Sequence, residues 1–119
     1  MKLLFDHNVD RRFRKHLPGH DIKTTREMRW ETLTNNVLLK IAADAGFDAF
    51  LSTDKTLEHE QNLLTLPLPI IVLDSISNAL PALIPFAPIL LDLLNSPLDR
   101  SLYIIQPNGV VLRLTSPRP

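Results

Sequence analysis

The chain of 119 residues contains no cysteine, which excludes a disulfide framework, thiolate zinc ligation and thiol catalysis. It has only three glycines, too few and too scattered for a glycine-rich phosphate loop. Neither sign of charge is in excess, because 13 Lys and Arg balance 13 Asp and Glu. That argues against strong non-specific attraction to nucleic acid through overall charge. The four histidines, His7, His16, His20 and His59, lack the close helical spacing of a His-Glu-x-x-His zinc site. No Ser-His-Asp arrangement follows from spacing.

What is present is unevenly spread. Residues 1–62 hold 10 of the 13 basic and 10 of the 13 acidic side chains, and the second half is mostly apolar and carries most of the ten prolines. A polar working half on an apolar scaffold half fits this distribution. Ser75 to Leu91 carries no charge, but Pro81, Pro85 and Pro88 interrupt it and Asp92 ends it. It therefore reads as a buried, proline-broken helical segment rather than the ~20 apolar residues of a membrane span. The opening residues show no secretory signal pattern, so a cytoplasmic location is the expectation.

Two apolar runs end in an aspartate. Lys2-Leu3-Leu4-Phe5-Asp6 is followed by His7-Asn8, and Ala49-Phe50-Leu51-Ser52-Thr53-Asp54 by Lys55. In parallel α/β sheets ligands bind beyond the carboxyl ends of strands. Two carboxylates placed there can share one pocket for a hard cation such as Mg²⁺ or Mn²⁺. The same residues also suit caps and turns, and both readings stay open at this level.

The remaining pattern predicts an α/β domain over 1–115 with a loose tail at 116–119. Val9, Phe13 and Leu17 give a helix over about 9–17, stopped by Pro18-Gly19. His20–Thr24 is a second strand, and Arg26–Leu33 a loop containing Trp30, which either docks a base or partner or anchors the loop. Thr34 caps a helix that ends at Gly46. Leu57–Leu64 is a short helix, Pro69–Asp74 a buried strand, and 78–94 helical. Leu102–Ile105 and Val110–Leu112 flank Asn108-Gly109 as a hairpin. Strands alternating with helices imply a mainly parallel central sheet flanked by helices.

Four stretches, in this order, are similar to the PIN-like domain family, in particular its short, toxin-type members. They are Leu3-Leu4-Phe5-Asp6-His7-Asn8-Val9, Gly19-His20-Asp21-Ile22 followed by Glu27, Leu33-Thr34-Asn35-Asn36-Val37-Leu38-Leu39, and Thr53-Asp54-Lys55-Thr56-Leu57 followed by Gln61-Asn62-Leu63. The resemblance implies a three-layer PIN-like fold and a Mg²⁺- or Mn²⁺-dependent ribonuclease, VapC-like in type. It implies an RNA substrate, an antitoxin protein as partner, and a homodimer. It places Asp6 and Asp54 as metal ligands; Asp74, at the end of a later strand, would help them as a third catalytic carboxylate, directly or through water. Asn8 would orient Asp6 or substrate. Arg11, Arg12, Arg14 and Lys15, with Lys23, Arg26 and Arg29, read either as a basic rim that meets phosphate or as a solvated face, and Lys55 either meets phosphate or pairs with Asp54.

Two positions depart from the family pattern, Val37 and Thr56, the second standing at an acidic position of the family's third motif. Val37 stands where the family's middle helix carries a glutamate, and Val37, four residues before Ile41, reads as a core residue. The acidic set is therefore reduced, with Glu27 and Glu58 as remote substitutes. A catalytically inactive PIN-like module that binds RNA or a protein is the alternative. Gln61 and Asn62 read as turn-locking amides, and His7 as a surface residue or a proton shuttle beside the pocket.

Overall fold

The computed structural model describes all 119 residues. Six strands, β1 (Lys2–Phe5), β2 (Asp21–Thr24), β3 (Ala49–Ser52), β4 (Ile70–Leu73), β5 (Leu102–Ile105) and β6 (Val111–Leu114), form one sheet in the order β2-β1-β3-β4-β5-β6. The first five are parallel, and β6 pairs antiparallel with β5. No helix is long and apolar enough to cross a membrane.

The central strands are continuous apolar runs because both their faces are covered. Alternate residues point to opposite faces, which divides the core in two. Leu3, Phe5, Leu51, Ile71 and Ile105 pack with Phe13, Phe86 and Leu90 on one face. Leu4, Phe50, Ile70, Val72 and Ile104 pack with Leu38, Ala42 and Leu57 on the other. The second face is covered by α1 (Asn35–Asp44) and α2 (Leu57–Glu60). The first is covered by α3 (Leu80–Leu83), α4 (Ala87–Leu94) and a 3₁₀ turn at Arg11–His16. The three-layer α/β expectation holds at this level.

Several elements differ from the sequence expectation for local reasons. The stretch expected as a helix over 9–17 is a 3₁₀ helix from Arg11 to His16, in which Asp10 caps the Arg12 N–H. Val9, Phe13 and Leu17 are buried all the same. The segment 78–94 splits into α3, a 3₁₀ turn at Ile84–Phe86, and α4. A proline stands in the first turn of each piece, where its missing N–H costs nothing but the preceding helix cannot run through it. α2 stops at Glu60 because Gln61 is extended and the Asn62 side chain accepts the Leu64 N–H, opening a turn. Asn62 thus has the turn-locking role expected of it. In the hairpin, Gly109 takes φ +87, a conformation glycine adopts without a Cβ penalty.

Trp30 packs edge-on against Phe47 with ring centroids 5.9 Å apart, so it anchors its loop to the core. The tail is not uniformly loose, since Arg118 is held by the buried Glu58.

Candidate functional site

The strand order reverses between β1 and β3: β2 lies to one side of β1, and β3, β4 and β5 follow on the other. In doubly wound sheets a crevice opens beyond the carboxyl ends of the strands at this switch point. Asp6 directly follows β1, and Asp54 lies two residues beyond β3. The Asp6 N–H donates to the Leu51 carbonyl at 2.8 Å, carrying the pairing of the two strands one residue further.

Asp6 is only 3% exposed, and both of its carboxylate oxygens are engaged. Oδ1 accepts from the His7 N–H at 2.8 Å and lies 2.9 Å from His7 Nδ1. Oδ2 accepts from Ser52 Oγ at 2.8 Å and is 3.5 Å from the Asn8 amide. That last contact is at the limit of hydrogen bonding, so one Oδ2 lone pair is weakly used. An ionised carboxylate can only accept, so Nδ1 of His7 carries the proton toward Asp6. When the imidazole is neutral, Nε2 is left as the acceptor on a side chain that is 75% exposed.

Ser52 is the joint of the site. It is the last residue of β3 and fully buried. Its hydroxyl donates to Asp6 and accepts the Asp54 N–H at 3.0 Å. Asn8 ties the same ends together, its Oδ1 accepting the Thr53 N–H at 3.2 Å. Thr53 Oγ1 donates to Asn78 Oδ1 at 2.7 Å, fastening the loop after β4. Ser52, Thr53 and Asn78 were missed in the sequence. The available signal was a serine closing an otherwise apolar strand.

Asp54 is half-buried. Its Oδ1 accepts the Thr56 N–H at 3.0 Å and the Thr56 hydroxyl at 2.6 Å, so it shapes the turn into α2 as the capping reading expected. Its Oδ2 accepts no hydrogen bond from the chain. Asp74 follows β4 and pairs with Lys55 Nζ at 2.8 Å. The structure therefore gathers Asp6, Asn8 and Asp54 around Ser52, and links Asp74 to the next residue, Lys55.

Three of the cations expected at phosphate are paired within the chain. Arg12 forks onto Asp10, with Nη2 2.7 Å from Oδ2, and holds the Asp10 pKa down at about 2. Arg14 donates to Glu27 at 2.7 Å and lowers the Glu27 pKa. Lys55 is taken by Asp74. Arg12, Arg14 and Lys55 are thus already neutralised, whereas Arg11 and Lys15, like Lys23, Arg26 and Arg29, form no ion pair. Glu27 also accepts the Thr24 N–H and stays outside the strand-end group.

Val37 corrects a second expectation. It is 45% exposed rather than in the core, because the buried stripe of α1 is Leu38, Leu39 and Ala42. It stands three residues after Thr34, the N-cap, whose side chain makes no capping bond. A glutamate there would complete a Thr-x-x-Glu capping box and complement the helix dipole. V37E is accordingly expected to stabilise the fold by about 0.5–1 kcal/mol, read from the urea midpoint.

Nowhere do three or more His, Cys, Asp or Glu side chains gather in a way that could hold a metal ion. A protein-only metal cage therefore does not fit. The donor set of Asp6, Asp54 and Asn8 is all hard oxygen, suited to an ion that keeps several waters and takes one or two protein carboxylates plus substrate phosphate. The largest surface concavity, about 780 Å³ and lined by Met1, Asp44, Asp48, Pro69 and Arg100 among others, opens at the amino ends of the strands, away from this group. The chain matches no protein-family model, no curated protein and no solved structure.

Proposed function

We propose that this chain is a PIN-like domain acting on RNA, a Mg²⁺- or Mn²⁺-assisted ribonuclease with a reduced acidic set, of the type that pairs with a small antitoxin protein and self-associates as a homodimer. The observation that carries the reading is the joining of Asp6, Asn8 and Asp54 through Ser52 at the β1/β3 switch point. A buried polar network at a strand-end crevice is where this fold class places chemistry.

Asp6 and Asp54 would hold the ion, which supplies charge neutralisation at a phosphodiester and a more acidic bound water. The chain's own contribution is positional. Ser52 holds Asp6 in one orientation and aims the turn that carries Asp54. Asn8 keeps the two strand ends in register. Asp6 fixes the His7 tautomer, so that Nε2 can take a proton at the exposed edge of the strand-end group.

Purified protein is expected to cleave a mixed single-stranded and structured RNA pool with Mn²⁺. Asp54→Asn is expected to slow this on the order of 10²-fold without moving the melting temperature. Equal rates in the two proteins would refute the assignment.

A second reading, an inactive module that binds RNA or protein, is favoured by two observations: both Asp6 oxygens are engaged, and no third carboxylate joins the group. Retained RNA binding with no cleavage at any Mn²⁺ concentration would select it.

A further inference from the structure

Glu58, in α2, is a buried carboxylate with a single close cationic partner. It is 3% exposed, and its two oxygens receive the fork of Arg118: Nη2 to Oε1 at 2.8 Å and Nε to Oε2 at 3.0 Å. The Arg118 backbone N–H adds a third donor at 2.8 Å. His59 Nε2 stands further off, at 3.9 Å. Asp74 adds to the negative field around the guanidinium, and Val72, Leu102 and Ile104 wall the cavity beside it.

The group that fills this pocket is tethered lightly. Every residue from Thr115 to Pro119 is exposed, and no other residue of that segment hydrogen-bonds to the rest of the chain. Pro117 and Pro119 lack an N–H. One residue, Arg118, through its half-exposed side chain and its backbone N–H, is all that hydrogen-bonds the segment down. If it swings away, the Glu58 carboxylate beside Val72, Leu102 and Ile104 loses its counter-charge, a state that another cation will relieve. Arginine suits the vacancy better than lysine, because a planar fork matches the two oxygens and an ammonium does not.

We propose that the Glu58 pocket is a guanidinium receptor, filled by the chain's own Arg118 and open to an arginine side chain of a partner polypeptide that displaces it. Arg118 then acts as a latch. Its release bares the side of the pocket lined by Lys55 and Asp74, next to Asp54, so partner capture and the strand-end site share a wall. The receptor stands on its own geometry and does not require that the chain cleave RNA.

The test supplies the missing group from outside. In Arg118→Ala, the capped peptide Ser-Pro-Arg-Pro is expected to raise the melting temperature saturably by about 3–6 °C. The Ser-Pro-Lys-Pro peptide is expected to give much less, and the Glu58→Gln/Arg118→Ala double variant should respond to neither. No saturable shift, an equal lysine response, or a response kept in the double variant would overturn the receptor. Should Arg118→Ala not fold, the wild type decides by NMR. A tethered group competes at a local concentration in the millimolar range, so the Arg118 amide resonance is expected to move as the arginine peptide reaches tens of millimolar. An unmoved Arg118 resonance to about 50 mM would equally overturn it.

Discussion

Asp6→Ala is expected to lower the free energy of unfolding by about 2–4 kcal/mol, and Asp54→Ala by no more than about 1 kcal/mol. The contrast follows from what each carboxylate leaves behind. Removing Asp6 leaves the fully buried Ser52 hydroxyl only the long 3.4 Å contact to Asn8 Oδ1 and frees the His7 N–H, where four contacts converged on one carboxylate. Hydrogen bonds to a charged acceptor are worth more than neutral ones, and a buried donor left without an acceptor bears its full desolvation cost. Asp54 serves an exposed turn at Thr56, whose N–H can turn to water. Urea unfolding of the two variants checks the order, and comparable losses would mean that Asp6 does not organise the strand ends. Both variants are expected to lose cleavage, so stability separates a carboxylate that builds the site from one that only serves it.

Arg118→Ala is expected to cost more than the double variant Glu58→Gln/Arg118→Ala, with the single change costing about 1–2 kcal/mol at neutral pH because solvent screens the half-exposed guanidinium. The single variant leaves Glu58 charged beside the exposed His59 and the Asp74-paired Lys55, whereas the double variant removes the charge as well. The pH dependence has a definite sign. The Arg118 side-chain hydrogen bonds lower the Glu58 pKa from its ordinary 4.5. A carboxylate depressed on folding contributes stability that is fully present above its ordinary value and is lost as pH falls through the lowered folded value. Wild type should therefore lose this contribution only below about pH 4.5. Without Arg118, burial favours the neutral acid, so the variant regains ground as pH drops. The gap between wild type and Arg118→Ala should be widest near neutrality and close on acidification. A gap independent of pH would contradict the ion pair as its source.

The fold was legible where one physical cause dominates. β1, β3, β4 and β5 are covered on both faces, so each reads as an unbroken apolar run, and the aspartates at two of their ends were visible by position alone. Gly46 and Gly109 marked a helix end and a hairpin because both stand at positive φ. Where several causes compete, sequence reasoning ran out. The spacing of Val9, Phe13 and Leu17 predicted burial correctly but not the 3₁₀ geometry that achieves it. Val37 carries an apolar side chain yet faces solvent, because its neighbours on α1 already supply the packing stripe. Of the site, Asp6, Asn8 and Asp54 were named, and Ser52 links the side chains of Asp6 and Asn8 but the backbone N–H of Asp54. The Ser52 hydroxyl that joins them was not, since nothing local says which way a strand-end serine turns. The pairing of Glu58 with Arg118 spans 60 residues and leaves no periodic trace. The Asp10–Arg12 fork was local enough to foresee, and it removes a cation that the sequence reading had given to substrate.

The most direct measurement is a Mn²⁺ titration of ¹⁵N-labelled protein followed by paramagnetic line broadening. The account predicts that the amides of Asp6, His7, Asn8, Thr53 and Asp54 broaden first, and that Asp54→Asn shifts their broadening to higher Mn²⁺ concentration. Broadening centred instead on Asp44 and Asp48 at the opposite end of the sheet, or spread evenly over exposed carboxylates, would contradict a functional ion site at the β1/β3 strand ends.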